Sequence, residues 1–216
     1  DDALDFGQTD STEMKNYSLS FDGEDDYVEV PHNSIFDFQD SFSIEFWFNH
    51  TSDMDERYII TKGRDINLSH RYWGLRSNSD GTLFFEILME EGGYKTFSIN
   101  PYFELNKWNH FAISYDGTII SFYTNGVLTS NASLSGNLHN GTYNLSIGYF
   151  PHTNLNQYGY FYEGGIDNIS IWSSSLTQSQ IQSYMATPPS ESESALVGYW
   201  KFNAGTGNTL YDHSGN

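Results

Sequence analysis

Short runs of alternating apolar and polar residues follow one another along most of the chain, separated by clusters of Asp, Gly, Pro, Asn and Ser. Alternation with a period of two is typical of half-buried β-strands, and such clusters are typical of turns. Predicted strands cover Tyr17–Phe21, Tyr27–Val30, Ser43–Phe48, Tyr58–Thr61, Tyr72–Arg76, Phe84–Leu88, Thr96–Ile99, Trp108–Tyr115, Thr118–Thr124, Val127–Thr129, Tyr143–Tyr149, Phe161–Glu163 and Ile166–Trp172. The meander predicts an all-β fold, an antiparallel β-sandwich of the jelly-roll type.

Two dipeptides predict tight hairpin turns of type I′, Asp116-Gly117 and Asn125-Gly126. One short capping helix is predicted after the strands, because Thr177 and Gln180 have the spacing of a capping box. Leu176 and Ile181 occupy the two positions of a hydrophobic staple around this helix start. We expect the helix to cover the edge or end of a sheet.

The same pattern divides the 216 residues into four segments. Residues 1–16 are an N-terminal extension, 17–186 the jelly roll, 187–195 a linker-like segment, and 196–216 a C-terminal strand and turn. The last segment either completes the sandwich or begins a neighbouring repeat. A sandwich of this length is common as a single domain.

Composition excludes several classes of function. A formal net charge of −19 argues against nucleic acid as a partner, since phosphate binding depends on Lys and Arg. The chain has no cysteine, and therefore no disulfide, thiol nucleophile or cysteine-based zinc site. No apolar run approaches the roughly 20 residues that a membrane span needs. The N-terminal residues lack signal-peptide character, so we interpret the chain as a mature or excised fragment.

Three phrases carry a family resemblance. They are Phe21 to Val30, Trp108 to Ala112 together with Asn125-Gly126, and Gly165 to Trp172. In order and spacing they resemble the laminin-G-like, concanavalin A-like lectin/glucanase jelly roll, over roughly residues 17 to 185. The phrase Leu196 to Asn203 is similar to the segment that joins tandem copies of such modules in microbial secreted and surface proteins.

The resemblance implies a secreted or cell-surface protein with neighbouring domains in the same chain. Its members include lectin-like carbohydrate-binding modules, and also protein-binding and architectural modules. We therefore predict a non-catalytic module that binds an extracellular polysaccharide. The alternative is a structural or protein-adhesion repeat that binds no sugar.

A structural Ca²⁺ site is predicted at Asp22, Gly23, Asp26, Gly165 and Asp167. Calcium takes six to eight oxygen ligands, and glycine-containing turns expose backbone carbonyls. The resemblance implies that Asp22 and Asp167 lie side by side, where a cation would relieve the repulsion between them. The alternative is that these aspartates only accept hydrogen bonds from nearby backbone amides.

Catalytic residues are not predicted. Glu86 and Glu90 share a strand face about 13 Å apart, beyond the roughly 5 to 9.5 Å of glycosidase carboxylate pairs, and we interpret both as solvent-facing. The seven histidines are scattered, without a metal motif or a neighbouring nucleophile.

Two sites are candidates for the polysaccharide. Arginines are concentrated beside aromatic residues at Arg64, Arg71, Tyr72, Trp73 and Arg76, a combination that suits a sulfated or carboxylated sugar. The alternative is that these arginines pair with surface carboxylates.

The second candidate is a loop region that would dock a neutral sugar through rings and amides. Its predicted ligand-binding residues are His152, Asn154, Tyr158 and Tyr160.

Overall fold

Alternating apolar residues form a two-layered sandwich in the computed structural model, which describes residues 17–51, 56–64, 71–78, 81–100, 103–151 and 160–216. The strands within these ranges are β1 Leu19–Asp22, β2 Val28–Val30, β3 Phe42–His50, β4 Arg57–Gly63, β5 Arg71–Ser77, β6 Leu83–Met89, β7 Gly93–Ile99, β8 Trp108–Tyr115, β9 Ile119–Thr124, β10 Val127–Ser133, β11 Leu145–Ile147, β12 Glu163–Trp172 and β13 Leu196–Trp200. A 3₁₀ turn covers Ser34–Phe36, and helix α1 covers Gln178–Ala186.

Both sheets are antiparallel throughout. The first has the order β1-β12-β3-β8-β9-β10, and the second has the order β2-β11-β4-β5-β6-β7. Strand β12 pairs with β3 along one side, while its other side pairs with β1 near the start and with β13 near the end. The predicted all-β jelly-roll architecture is confirmed.

The core lies between the two sheets and is strongly aromatic. On β3 the residues Ile44, Phe46 and Phe48 face inward and are at most 1% exposed. The alternate residues of the same strand therefore lie on the outer face of the first sheet, because side chains alternate along a strand. This outer face is the surface on which the helix packs.

Predicted and observed strands agree to within a few residues, with one fusion. The sequence pattern predicts Phe161–Glu163 and Ile166–Trp172 as separate strands. In the structure β12 runs unbroken from Glu163 to Trp172, so it includes Glu163 of the first predicted strand and all of the second. Gly164 and Gly165 within it serve close approaches, since a Cβ at Gly164 would lie 2.2 Å from the Asn49 carbonyl oxygen.

The two predicted hairpin turns differ in outcome. Asn125 and Gly126 have φ of 50° and 72°, as a type I′ turn requires. Asp116 is not among the residues with positive φ, so the prediction of type I′ is wrong for Asp116-Gly117. There the Asp116 carboxylate accepts hydrogen bonds from the amides of Thr118 and Ile119, at 2.8 and 2.7 Å.

The predicted capping box of α1 is present. The Thr177 hydroxyl accepts a hydrogen bond from the Gln180 amide, and the Gln180 side chain accepts one from the Thr177 amide. Ile181 is fully buried against the outer face of the first sheet, in a cluster with Ala112, Tyr123, Trp172, Leu176, Leu196 and Tyr199. The helix thus covers part of a sheet face.

Residues 196–216 contribute to the same sandwich. Strand β13 pairs with β12, and the Asp212 carboxylate accepts a hydrogen bond from the Tyr199 amide at 2.9 Å. The more precise segment boundaries remain predictions. Within the described ranges, none of the helices has the length and apolar character of a membrane-crossing segment.

Candidate functional site

Cross-strand register places a row of chemically distinct side chains on the outer face of the first sheet, beside the helix. Trp47 of β3 lies between His110 of β8 and Asp167 of β12. The next row toward the end of the sheet consists of Trp108, Asn49 and Gly165. Because residues two apart on a strand share a face, both rows face the same way.

Trp108 lies across this face rather than away from it. Its indole Cη2 is 2.8 Å from where a Cβ at Gly165 would be, so the ring covers the bare backbone of β12. The residue is nevertheless 42% exposed. A large ring that packs on a sheet and remains partly exposed can serve as a stacking surface.

A β-bulge in β12 sets the direction of two polar side chains. The register shifts between Asp167 and Ser170, and Asn168 takes a left-handed backbone conformation with φ 50°. Bulges re-aim side chains in this way. The Asn168 amide donates to Asp167 Oδ2 at 3.1 Å and its Oδ1 accepts from the Tyr199 hydroxyl at 3.3 Å, which holds both side chains in place.

Together these residues line a groove of about 420 Å³ between the exposed part of the sheet and the helix. A volume in this range suits a sugar unit or a small part of a chain. The groove is lined by Tyr17, Ser18, Trp47, Trp108, Asp167, Asn168, Met185 and Pro188. It combines aromatic walls with a carboxylate and an amide.

Asp167 is the buried polar group of the groove. The residue is 7% exposed, and its Oδ1 has no hydrogen-bond partner among the described residues. Burial raises the pKa of its carboxyl to about 7. A ligand donor that reached this oxygen would satisfy a buried acceptor.

Next to the groove, a carboxyl and an imidazole lie beneath the helix. Glu45 and His110 are each 2% exposed, with Oε2 and Nε2 3.7 Å apart. Burial raises the pKa of Glu45 to about 8 and lowers that of His110 to about 3. Both groups are therefore neutral near pH 7. The ring of Trp47, which lines the groove, packs edge-on against His110 with centroids 5.3 Å apart.

The five residues predicted as calcium ligands are not brought together. Asp22 pairs with Glu163, whereas Asp167 follows Ile166, which pairs with Leu19. Asp167 is four residues further along β12 than Glu163, the partner of Asp22, which corresponds to about 13 Å. The expected juxtaposition of Asp22 and Asp167 is therefore wrong. Gly165 lies within the sheet, under Trp108.

A different set of carboxylates does converge at the turn between β1 and β2. Asp22, Asp25 and Asp26 each have a carboxylate oxygen within 4.8 Å of the others. Burial raises the pKa of Asp26, and the charges of Asp22 and Asp25 act in the same direction.

These groups also have partners within the protein. Asp22 Oδ1 accepts hydrogen bonds from the amides of Glu24 and Asp25, at 2.8 and 3.3 Å. The Gly23 carbonyl accepts one from Arg57 at 3.3 Å. Backbone bonding of the kind expected as the alternative is therefore present, alongside a carboxylate cluster that could hold a cation.

The predicted arginine site is occupied by an internal ion network on the outer face of the second sheet. Its centre is Glu86, which is 5% exposed, so the interpretation of Glu86 as solvent-facing is wrong. Four donors surround its carboxylate, namely Tyr58 at 3.3 Å, Arg71 at 3.4 Å, Arg76 at 3.1 Å and Tyr94 at 2.6 Å. Arg76 also pairs with Glu56 at 3.0 Å. Charge on both arginines is thus engaged by carboxylates.

The aromatic residues of that predicted site are buried. Trp73 is 3% exposed and belongs to the core, and Tyr72 is 6% exposed and stacks on His139. Neither presents a ring face to a ligand, so their assignment as ligand-binding residues is wrong. Arg64 is exposed and lies near Tyr149, whose pKa it lowers against the larger opposing effect of burial.

Of the second predicted site, His152, Asn154 and Tyr158 lie outside the described residues. Tyr160 is half-buried, with its ring edge-on to Tyr58 at 5.8 Å.

Beside it, three further rings form a stack at the surface. Tyr149 packs on Phe161 at 5.6 Å and on Tyr27 at 4.5 Å, and Tyr27 is 53% exposed. An accessible ring therefore lies near this loop region at Tyr27.

The groove residues Trp47 and Trp108 were missed as ligand candidates. One signal was available, because Trp47 alternates with the inward-facing Phe46 and Phe48 and must therefore face outward. What the sequence could not show is that the helix stops short of this position and leaves the ring open.

The family follows from a sequence match that covers most of this sandwich. Residues 22–182 match the family described as the concanavalin A-like lectin/glucanases superfamily. The chain belongs to this superfamily. A search of curated proteins gave no match.

Solved structures with the superfamily fold are similar at low identity. A candidate carbohydrate-binding protein of Bacteroides ovatus has a TM-score of 0.72 and 17% identity, covering 92% of this chain and 55% of that one. The CBM40 module of a Ruminococcus gnavus sialidase, bound to α2,3-sialyllactose, has a TM-score of 0.62 and 13% identity, covering 77% and 94%. A pentraxin of Limulus polyphemus has a TM-score of 0.58 and 15% identity, covering 83% and 87%. The present chain spans about half the length of the Bacteroides protein.

Proposed function

We propose that this chain is a non-catalytic carbohydrate-binding module of a larger secreted or cell-surface protein, and that it binds its glycan in the groove formed by Trp47, Trp108, Asp167 and Asn168. The observation that carries the proposal is the 42% exposed Trp108 ring packed against Gly165, on the same sheet face as a buried carboxylate whose Oδ1 has no partner among the described residues.

This arrangement matches what a sugar presents. A pyranose ring has an apolar face of C–H groups that packs on an indole, and an edge of hydroxyl groups that donate and accept hydrogen bonds. In the groove, the indole of Trp108 would take the apolar face, while Asp167 and Asn168 would take hydroxyl groups. The stacking ring and the polar pair are held on β8 and β12 of the same sheet, so little ordering is needed on binding.

The absence of catalysis is part of the proposal. Glycoside hydrolysis uses two carboxyl groups that both reach the scissile bond. Among the described residues that line the groove, Asp167 is the single carboxylate. Glu45 lies near the groove but is only 2% exposed, so it does not line it. Support also comes from the carbohydrate-binding descriptions of the Bacteroides and Ruminococcus structures.

A structural calcium ion is proposed at the turn between β1 and β2. The donors there are the carboxylates of Asp22, Asp25 and Asp26, which fit a hard cation by charge and by their mutual distances within 4.8 Å. The doubly charged ion would offset most of the repulsion among three like charges in one turn. Its role would be structural, because the cluster lies at the opposite end of β1 from Tyr17 and Ser18 of the groove.

A glycan array tests the proposed function, with the wild type beside Trp108→Ala and Tyr27→Ala. Both variants remove one exposed ring, but only Trp108 lines the groove. Loss of binding in Trp108→Ala alone would support the groove, whereas loss in Tyr27→Ala alone would move the site to the Tyr27, Tyr149 and Phe161 stack. A folded wild type that binds no glycan would favour the structural or adhesion repeat.

A further inference from the structure

The groove has a charge preference that the proposed function alone does not specify. Among the described residues, its buried acceptor Asp167 Oδ1 has no hydrogen-bond donor, and no Lys, Arg or His lies within ion-pair distance of this carboxylate. Among the described lining residues none is Lys or Arg. An unpaired buried carboxylate is unfavourable until a cation or a proton reaches it.

The aromatic walls favour the same kind of ligand. Trp47 lies in the same cross-strand row as Asp167, Trp108 lies in the next row, and both rings line the groove. The face of an indole attracts a cation, with a contribution of about 0.5–2 kcal/mol that grows as water is removed. The chain as a whole carries a formal net charge of −19, which attracts cations and repels anionic glycans.

We propose that the groove selects glycans that carry a free amino group, with the sugar ammonium seated between Asp167 and the indoles of Trp47 and Trp108. This inference rests on the proposed function and names its substrate class. A neutral sugar hydroxyl would use only the unsatisfied oxygen of Asp167. An ammonium group would use that oxygen, the indole faces and the negative field together.

The inference reverses the charge preference predicted from the arginine-rich stretch. A sulfated or carboxylated sugar needs cations that are available, whereas Arg71 and Arg76 are engaged by Glu86. In the groove, such a sugar would bring a second anion next to Asp167. The acceptor oxygens of the groove therefore suit hydrogen-bond donors on the ligand, and the negative charge of Asp167 attracts an ammonium group.

The experiment is calorimetric titration with β-1,4-linked oligomers of glucosamine, N-acetylglucosamine and glucose of one length, at neutral pH, because the Asp167 carboxyl with its pKa of about 7 is largely protonated in mild acid. These three probes share the ring that stacks on Trp108 and differ in the group at one carbon. The wild type is expected to bind the glucosamine oligomer about tenfold more tightly than the glucose oligomer, since tenfold corresponds to one well-placed charged contact.

Asp167→Asn separates the amino-group contact from stacking. It should reduce the preference for glucosamine over glucose to less than about twofold, because the amide keeps the groove shape but carries no charge. The loss of affinity should be larger for the glucosamine oligomer than for the glucose oligomer, whose hydroxyl also contacts Asp167. Glu24→Gln is the matched control, since it removes one negative charge at an exposed position away from the groove. Thermal melting of both variants checks that they fold.

Three outcomes are decisive. Equal binding of glucosamine and glucose oligomers by the wild type would overturn the amino-sugar inference while leaving glycan binding intact. Equal losses in Asp167→Asn and Glu24→Gln would also overturn it, because the attraction would then be that of net charge alone. Failure of the folded wild type to bind any of the three, together with a negative glycan array, would overturn the proposed function itself.

Discussion

Glu45 and His110 face each other across β3 and β8 with their Oε2 and Nε2 atoms 3.7 Å apart, enclosed between the sheet and helix α1. Burial raises the pKa of Glu45 from 4.5 to about 8 and lowers that of His110 from 6.5 to about 3. The folded protein therefore holds a proton on Glu45 that the unfolded chain has already lost at neutral pH. The titratable neighbours of this carboxyl are His110, Tyr184 and Tyr199.

The expected consequence is a protein that loses stability as pH rises. A raised carboxyl pKa gives stability that is complete below pH 4.5 and is lost as pH rises through about 8. His110 acts in the opposite direction, but only below pH 6.5. Between pH 7 and 8 the free energy of unfolding should fall by about 1 kcal/mol, since one proton per molecule corresponds to about 1.4 kcal/mol per pH unit.

Glu45→Gln should remove most of this slope and raise the free energy of unfolding at pH 8. Urea unfolding at several pH values measures both effects, with exposed Glu24→Gln as the control for net charge. An unchanged slope in Glu45→Gln would show that Glu45 ionises in the folded protein near its ordinary pKa.

A second prediction concerns Glu86, the centre of the ion network on the outer face of the second sheet. Glu86→Gln leaves Arg71 and Arg76 without their shared carboxylate, and both guanidinium groups are largely buried there, with 19% and 15% of their side chains exposed. We expect the free energy of unfolding to fall by about 2–4 kcal/mol, as for other broken buried pairs.

Glu90→Gln is the matched control on the same strand region. Glu90 is exposed and accepts a hydrogen bond only from Asn137 among the described residues, at 3.0 Å. Its loss should change stability by less than about 0.5 kcal/mol. Equal effects of the two substitutions in urea unfolding would contradict a structural role for the Glu86 network.

Glu86 and Glu90 show which structural features the sequence pattern predicts and which it does not. Alternation along β6 correctly placed Glu86 on the outer face, as it placed most strands to within a few residues. It could not show that this face is filled, because Arg71, Arg76 and Tyr94 reach Glu86 from other strands. A residue can face away from the core and still be buried.

The groove was hidden for a related reason. From its sequence, Gly165 resembles a turn residue whose backbone carbonyl could ligate a metal ion. In the structure its role is to leave space for the Trp108 ring. That role depends on the register of β8, β3 and β12, which local patterns do not fix. Asp167 was recognised as important, but its assignment to calcium relied on a neighbour, Asp22, that the register places elsewhere.

A third prediction concerns calcium at the turn between β1 and β2. If Asp22, Asp25 and Asp26 hold a structural ion, millimolar calcium should raise the melting temperature of chelator-treated protein by several degrees, since an ion that binds only the folded state stabilises it by mass action. Differential scanning calorimetry measures the shift.

Asp26→Asn should abolish the calcium response, and Asp167→Asn should not, because Asp167 lies about 13 Å along the strand from Asp22. Absence of any shift in the wild type would leave these aspartates with their backbone hydrogen bonds as their full role. A shift lost in Asp167→Asn but kept in Asp26→Asn would place the ion in the groove.

The last prediction tests whether Gly165 holds Trp108 in its binding position. Gly165→Ala puts a methyl group 2.8 Å from the present position of Trp108 Cη2, and no positive φ strains the backbone at this residue. The ring must move, at a cost of about 1–3 kcal/mol in stability, and affinity for any glycan bound in the groove should fall at least about fivefold. In the double variant with Trp108→Ala the clash is absent, so Gly165→Ala should then cost almost nothing, as a double-mutant cycle in urea unfolding would measure. An equal cost with and without Trp108 would mean that the glycine is needed by the backbone of β12, and that the indole is positioned by other contacts.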